Sequence, residues 1–167
     1  MATLPTILLI CAATTTALIA GLLYGYFCSV NPGLHRLSDV EYLTAMQSIN
    51  RAIQNPVFFI SFLGAPVLLS LSTWMHYNQP IPVRFWLLLT ATVAYAIGVI
   101  GVTALGNIPL NEALNSFSIG MASAKEIAAQ RTHFETPWNT WHTIRTIAAI
   151  GSLILVIIAC LNPRVSS

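Results

Sequence analysis

Four long apolar stretches dominate this chain, at residues 4–30, 56–76, 82–105 and 138–161. Each provides the ~20 residues that a helix needs to cross a bilayer. Because every backbone polar group in lipid must find its hydrogen-bond partner within the protein, stretches of this length are stable there as helices. The sequence therefore predicts an all-α integral membrane protein, a four-helix bundle built as one domain over residues 1–167.

The composition indicates the same class of protein. Only 7% of the residues are charged and 56% are hydrophobic, so the chain has too little charge to cover a soluble domain. The first apolar stretch lacks the basic start and short apolar core of a signal peptide, and we expect it to be retained. We expect the lipid bilayer as a partner and no nucleic acid. A chain this short suits a bacterial inner membrane.

Two long connections, residues 31–55 and 106–137, separate the spans. An even number of spans places both connections on one side of the membrane. They also hold all five of the acidic residues. We therefore expect the polar chemistry of the protein at this end of the bundle, together with an additional helix in each connection.

The first additional helix is predicted over about residues 39–54. Ser38 and Glu41 have the spacing of a capping box at its start. Tyr42, Met46, Ile49 and Ile53 form an apolar face, and Gln47, Asn50, Arg51 and Gln54 form an amide-rich face opposite to it. Two arrangements are open at this point. The helix lies on the bilayer with its polar face in water, or the amide-rich face closes over the mouth of the bundle.

The second additional helix is predicted over about residues 108–130. Pro109 suits an early helical position, and Asn107 is expected to cap the helix. Asn111 lies four residues after Asn107, so both amides fall on one side of a helical turn. Capping does not explain Asn111. Residues 131–137 are predicted to bend back into the fourth span.

The fourth span begins with a polar motif that carries charge into or just beneath the membrane rim. Trp138, His142 and Arg145 recur at i, i+4 and i+7, and therefore share one helical face. A charged residue at this depth is costly unless it faces a protein interior or a wet cavity, which makes it a functional candidate. The alternatives are a snorkelling arginine, an interfacial tryptophan belt and a hydrogen-bonded interfacial histidine.

Four motifs follow one another along most of the chain. They are a Gly/Tyr-rich first span ending in Asn-Pro-Gly at 21–33, the pair Ile49-Asn50, the segment Asn107-Ile108-Pro109-Leu110-Asn111, and a terminus with Arg131, Phe134, Pro137, Trp138, Trp141, Arg145 and Thr146. With these motifs the chain resembles the anthrone oxygenase-like family of small four-span membrane proteins. The resemblance implies oxidation of polycyclic anthrones to anthraquinones by molecular oxygen, without flavin, haem or metal. The family often has asparagine where this chain has His142, which adds a titratable group to a site usually built on amides.

The chemistry implied by the resemblance can be matched to residues. An anthrone has an acidic methylene opposite its ketone, so the protein must hold a flat apolar molecule, accept a proton and stabilise an oxyanion. The expected catalytic residues are His142 as the base, and Arg145, Asn107 and Asn111 as donors to the anion. The expected substrate-binding residues are Asn50, Trp138, Trp141, Tyr24 and Tyr26.

Two other classes of function stay open from the sequence. One is a non-catalytic protein that binds or transports a small lipophilic ligand. The other is a haem or metal protein. His133, Glu135 and His142 would converge with Glu112, and His35 lies on the same side, although the spacing of the first three matches no standard motif. Gly21, Gly25, Gly98 and Gly101 suit close helix packing, either within the bundle or between copies of the chain in a homo-oligomer.

Overall fold

The computed structural model describes residues 3–77 and 82–162, and this part of the chain contains helices and no strand. The helices are α1 (Leu4–His35), α2 (Asp39–Ala52), α3 (Pro56–Met75), α4 (Val83–Ser116) and α5 (Ala124–Leu161), with a 3₁₀ turn at Ile119–Met121 before α5. The four helices α1, α3, α4 and α5 are long and apolar enough to cross a membrane. The predicted fold class, an all-α membrane bundle, is confirmed.

The four spanning helices close into a ring. Both α1 and α4 pack on α3 and on α5. Apolar side chains from all four helices fill the centre, among them Leu23, Leu69, Tyr95 and Val156. A second cluster lies at the end where the long connections meet, and it contains Tyr42, Leu43, Met46, Leu114, Ile127, Phe134 and Trp138. Helix α2 contributes Tyr42, Leu43 and Met46 to this second cluster and packs against α4 and α5 at this end of the bundle.

Two spans run further than the sequence predicted, because π-helical turns precede their prolines. In α1 the turn Tyr26–Val30 comes just before Pro32, and in α4 the turn Thr103–Asn107 comes just before Pro109. A proline lacks an N–H and clashes with the carbonyl four residues earlier. A wider turn with i→i+5 hydrogen bonds removes that conflict, so both helices continue through the proline.

The predictions for the second connection need two corrections. The expected helix over 108–130 is interrupted after Ser116. A new helix, α5, begins at Ala124, where Ser123 and Glu126 form a capping box. The expected bend at 131–137 is absent, and α5 continues through Pro137. Across Pro137, the ring of Phe134 stacks on that of Trp138, with centroids 6.1 Å apart.

Helix α2 lies against the protein with its amides inward. The predicted capping box of Ser38 and Glu41 is present. Gln47 Nε2 donates to the carbonyl oxygens of Leu114 and Phe117, at 2.8 and 2.9 Å, and ties α2 to the end of α4. Asn50 is buried on the same side as Met46, not opposite to it, because a step of four residues turns a helix by only about 40°.

Of the four glycines singled out in the sequence, Gly98 makes the closest contact within the bundle. A Cβ atom on Gly98 would lie 2.4 Å from Ala148 Cβ, so α4 and α5 approach closely here. A Cβ on Gly21 or Gly25 would meet nothing within 4 Å. Gly98 therefore serves packing inside one chain.

Candidate active site

A cavity of about 390 Å³ lies at the long-connection end, between the spanning helices and beneath α2. Its wall is largely apolar and aromatic, and its polar groups come from α1, α2, α4 and α5 and include the Glu112 carboxylate. The lining side chains that the sequence had singled out are Tyr26, Asn50, Asn111, Trp138, His142 and Arg145. The volume is within the range of roughly 300–1,000 Å³ that is typical of small-molecule sites.

His142 is buried in this wall, and its hydrogen bonds define its tautomer. Nε2 lies 3.1 Å from the carbonyl oxygen of Leu23, which can only accept, so Nε2 carries the hydrogen. Nδ1 therefore carries no hydrogen, and its lone pair accepts hydrogen bonds from Arg145 Nη2 at 3.0 Å and from Arg145 Nε at 3.2 Å. The ring stacks on Trp138, with centroids 5.0 Å apart and planes 6° from parallel. The predicted shared face of Trp138, His142 and Arg145 is confirmed.

Arg145 is half-buried and is held by neutral partners. Besides His142, its Nη1 donates to Thr103 Oγ1 at 3.3 Å, and its guanidinium lies over the Trp138 ring at 5.3 Å. Within residues 3–77 and 82–162, no carboxylate forms an ion pair with it. A cation at this depth without an anionic partner favours binding of an anion in the same cavity.

Two of the predicted amides reach the cavity directly. Asn111 Oδ1 accepts from Trp138 Nε1 at 2.8 Å, which fixes the indole ring that supports His142. Asn50 extends from α2 into the cavity lining, and its buried Nδ2 has no hydrogen-bond partner among the described residues. An unpartnered buried donor is costly, so Asn50 is available to a ligand acceptor.

Three predicted site residues lie elsewhere. Asn107 is fully buried behind the cavity wall, where Nδ2 donates to the Trp138 carbonyl oxygen at 3.2 Å, and it caps no helix because α4 continues through it. Trp141 is 38% exposed, packs against Gly106 and does not line the cavity. Tyr24 is 55% exposed on the outer face of α1 and does not line the cavity.

An aromatic wall and a hydroxyl of the cavity were not predicted from the sequence. Phe58, Phe59 and Phe62 of α3 line the cavity, and so does Thr103 of α4. A single threonine in an apolar span gives no signal by itself. Phenylalanines in an apolar span are not distinguishable from ordinary lipid-facing or core residues by sequence alone.

A second polar cluster surrounds Arg131, 14 residues before Arg145 on the same helix. Its guanidinium donates to Glu135 Oε2 at 2.8 Å, Asp39 Oδ1 at 2.9 Å, Leu37 O at 2.7 Å and His35 O at 2.8 Å. It also lies over the ring of Tyr42, at 4.6 Å. Burial, helped by the nearby Glu135 carboxylate, raises the pKa of Tyr42 above its ordinary value. These contacts join the start of α2 and the end of α1 to α5.

Most residues of the metal alternative have other partners: His35 and Glu135 belong to the Arg131 cluster and His142 to the cavity wall. His35 Nδ1 lies 2.7 Å from Glu135 Oε1, and Glu135 also accepts from Arg131. His133 is exposed, on another side of α5 from His142. No group of three or more His, Cys, Asp or Glu side chains converges in the part of the chain that the structure describes. The expectation of a cofactor-free protein stays a prediction.

The fold and the site together define a small helical membrane protein with an aromatic cavity around a histidine–arginine pair. The family model described as anthrone oxygenase matches residues 56–155, which is more than half of the chain. The chain belongs to the anthrone oxygenase family, and the name of that family suggests an oxygenase-like function. No curated protein and no solved structure matches it. The match covers His142, Arg145 and Asn111, whereas Tyr26 and Asn50 come from outside it.

Proposed function

We propose that this protein is a membrane-embedded monooxygenase that oxidises a flat lipophilic aromatic molecule, such as an anthrone, with O2 and without an organic cofactor. The observation that supports this most directly is the Arg145 guanidinium. It faces a largely apolar and aromatic cavity beside a neutral histidine, and no carboxylate among the described residues forms an ion pair with it, the Glu112 carboxylate in the cavity lining included. This arrangement suits a reaction in which an apolar substrate becomes an anion.

The cavity wall fits a planar polycyclic substrate. Phe58 and Phe62 are stacked, with centroids 5.0 Å apart, and Trp138 supplies a further ring across the cavity. Aromatic faces hold flat ligands by stacking and by burial of apolar area. The substrate would partition into the bilayer before it binds, and a bacterial inner membrane is the location that we expect.

The reaction needs no atoms other than those of the substrate and oxygen. Removal of a methylene proton from an anthrone gives an enolate, which transfers an electron to O2. Combination of the resulting radical with superoxide forms a C–O bond, and protonation gives a hydroperoxide. Loss of the second methylene hydrogen as a proton, with cleavage of the O–O bond, gives the quinone and one water. One O2 is consumed for each quinone, with one oxygen atom in each product.

In this proposal His142 Nδ1 takes the first proton. Nε2 already donates to Leu23, so Nδ1 is the nitrogen with a lone pair. Arg145 occupies that lone pair until a substrate oxygen draws its N–H groups away. The same movement brings the guanidinium to the oxygen on which negative charge develops. The base, His142, and the group that stabilises the anion, Arg145, are therefore hydrogen-bonded to each other before the substrate binds.

The experiment is oxygen uptake by the purified protein in lipid nanodiscs with a simple anthrone, with quinone formation followed by absorbance. We expect a rate above that of protein-free nanodiscs, and one O2 consumed per quinone. His142→Ala is expected to lower the rate roughly 100-fold, the lower end of the usual contribution of a general base. His133→Ala is the matched control, because His133 is exposed on the same helix outside the cavity.

The outcomes separate the proposal from its alternatives. Full turnover by His142→Ala or by His142→Asn would show that the base is not His142. Saturable binding of the anthrone with no quinone above background would replace the oxygenase by a protein that binds or transports lipophilic ligands. A Soret band in the absorption spectrum of the protein purified from its native host would contradict the absence of haem.

A further inference from the structure

We propose that the hydroxyl of Thr103 donates a hydrogen bond to the substrate oxygen that becomes negatively charged, beside Arg145. Thr103 then acts as a second catalytic donor. This inference deepens the proposed function and rests on it for the identity of the substrate. It starts from an unusual feature of Thr103, the hydrogen-bonding arrangement of its hydroxyl.

Threonines in the membrane helices of this protein usually bond back to their own helix. Thr92 donates to Leu88 O at 2.7 Å and Thr143 donates to Asn139 O at 2.9 Å, each to the carbonyl four residues earlier. Thr103 makes no such bond within the described residues. Its Oγ1 accepts from Arg145 Nη1 at 3.3 Å, so its own hydrogen is available to a further acceptor.

The backbone around Thr103 explains this difference. Thr103 is the first residue of the π-helical turn Thr103–Asn107, and another π-helical segment, Ala96–Gly101, ends two residues earlier. A π-helical turn is wider than an α-helical turn and shifts hydrogen bonds from i→i+4 to i→i+5. The carbonyl four residues before a side chain is then displaced from its usual position beneath it. π-Helical turns occur frequently at functional sites.

The position of Thr103 directs the free hydrogen toward a ligand. Thr103 lines the same cavity as His142 and Arg145 and approaches it from α4, whereas they approach from α5. A hydroxyl that accepts from a cation is polarised and becomes a stronger donor. Two donors from different helices, one of them charged, suit an oxyanion much better than a neutral ketone.

The test compares the binding of an anion with that of a neutral molecule of similar shape. Anthracene-9-carboxylate and 9-methylanthracene are titrated against the protein in nanodiscs by fluorescence, with protein-free nanodiscs subtracted. The variants are Thr103→Val, which keeps the shape and removes the hydroxyl, and Thr103→Ser, which keeps the hydroxyl. Thr143→Val is the matched control, because Thr143 bonds back to its helix and does not line the cavity.

We expect Thr103→Val to weaken carboxylate binding roughly 10-fold, in line with loss of a hydrogen bond to a charged group. Binding of 9-methylanthracene is expected to be unchanged, and Thr103→Ser is expected to restore the carboxylate affinity. A purely structural role would change both ligands together and would not be rescued by serine. Equal carboxylate binding by wild type and Thr103→Val, or no carboxylate binding by wild type, would overturn the inference.

Turnover then distinguishes this inference from the proposed function. If anthrone is oxidised, Thr103→Val is expected to lower kcat roughly 100-fold with little change in KM, because the bond forms to the developing anion. Normal kcat in Thr103→Val would overturn the role of Thr103 and leave the oxygenase intact. Selective loss of carboxylate binding in a protein that oxidises no anthrone would reject the oxygenase and leave Thr103 as part of an anion site.

Discussion

Arg131 and Arg145 belong to the same helix, and their surroundings are opposite in kind. Arg131 is bonded to two carboxylates and two backbone carbonyls, so its charge is neutralised and its donors are occupied. Arg145 is bonded to an imidazole and a hydroxyl, and both are neutral. The first arrangement holds three helices together. The second leaves charge and donors for a ligand, which is the arrangement expected of a functional group.

The largest effect is expected from Arg145→Met, which keeps an unbranched, flexible side chain and removes the charge and the N–H donors. Turnover should fall roughly 1,000-fold, because the cation that stabilises the oxyanion is lost. The folded state should not be weakened, since a half-buried charge without an anionic partner is also removed. Oxygen uptake and the thermal unfolding temperature, measured on one preparation, check both parts. An unfolding temperature well below that of wild type would make Arg145 structural, like Arg131.

For Arg131→Met we expect the main effect on the stability of the fold, and not on the chemistry in the cavity. Its loss leaves Glu135 and Asp39 without their cation, and the cost should be about 3 kcal/mol of unfolding free energy. Thermal unfolding in detergent measures this change. Arg36→Met is the matched control, because Arg36 is exposed and should be neutral. An Arg131→Met protein that is as stable as wild type but has no activity would show that Arg131 is a functional residue and not a structural one.

A smaller effect is expected from Gly98→Ala, which alters the distance between α4 and α5 near Arg145. The new Cβ would lie 2.4 Å from Ala148 Cβ, so the helices must separate at a cost of about 1–3 kcal/mol. Activity should fall as well, since Thr103 and Arg145 are on these two helices. Gly21→Ala has open space around it and should change neither property. Measurements of the unfolding temperature and of oxygen uptake for both variants check this prediction.

The smallest effect concerns the capping box of α2, near the Arg131 cluster. Hydrogen bonds from the Ser38 side chain and backbone lower the pKa of Glu41 below its ordinary value of 4.5. The folded state therefore gains stability above that value, and the gain is lost as the pH falls through the lowered pKa. Comparison of wild type with Glu41→Gln between pH 6 and pH 3 should show a small difference that closes at the acid end. A difference that persists at pH 3 would mean that the charge of Glu41 is not its source.

The sequence was sufficient for features that depend on local spacing. Span length predicted the bundle, and the i, i+4, i+7 spacing placed Trp138, His142 and Arg145 on one face. Features that depend on tertiary contacts were not predictable in the same way. The π-helical turns carry α1 and α4 through Pro32 and Pro109, which the sequence indicates as helix boundaries.

In the candidate site, too, local spacing did not predict which of two similar residues lines the cavity. Trp138 and Trp141 look equivalent in sequence, yet Trp138 lines the cavity whereas Trp141 packs against Gly106 and is partly exposed. Asn107 and Asn111 also look like a pair, but one supports the cavity from behind and the other lines it. Thr103 gave no signal by itself, because its role depends on Arg145, 42 residues later.

The most direct test of the account is to mix an anthrone with the protein in the absence of oxygen and to record the absorption spectrum. The account predicts that the enolate accumulates on wild type, does not accumulate on Arg145→Met, and converts to one equivalent of quinone when oxygen is admitted. An enolate band of equal size on both proteins, or no enolate on wild type, would contradict the claim that the unpaired arginine is there to bind the substrate's anion.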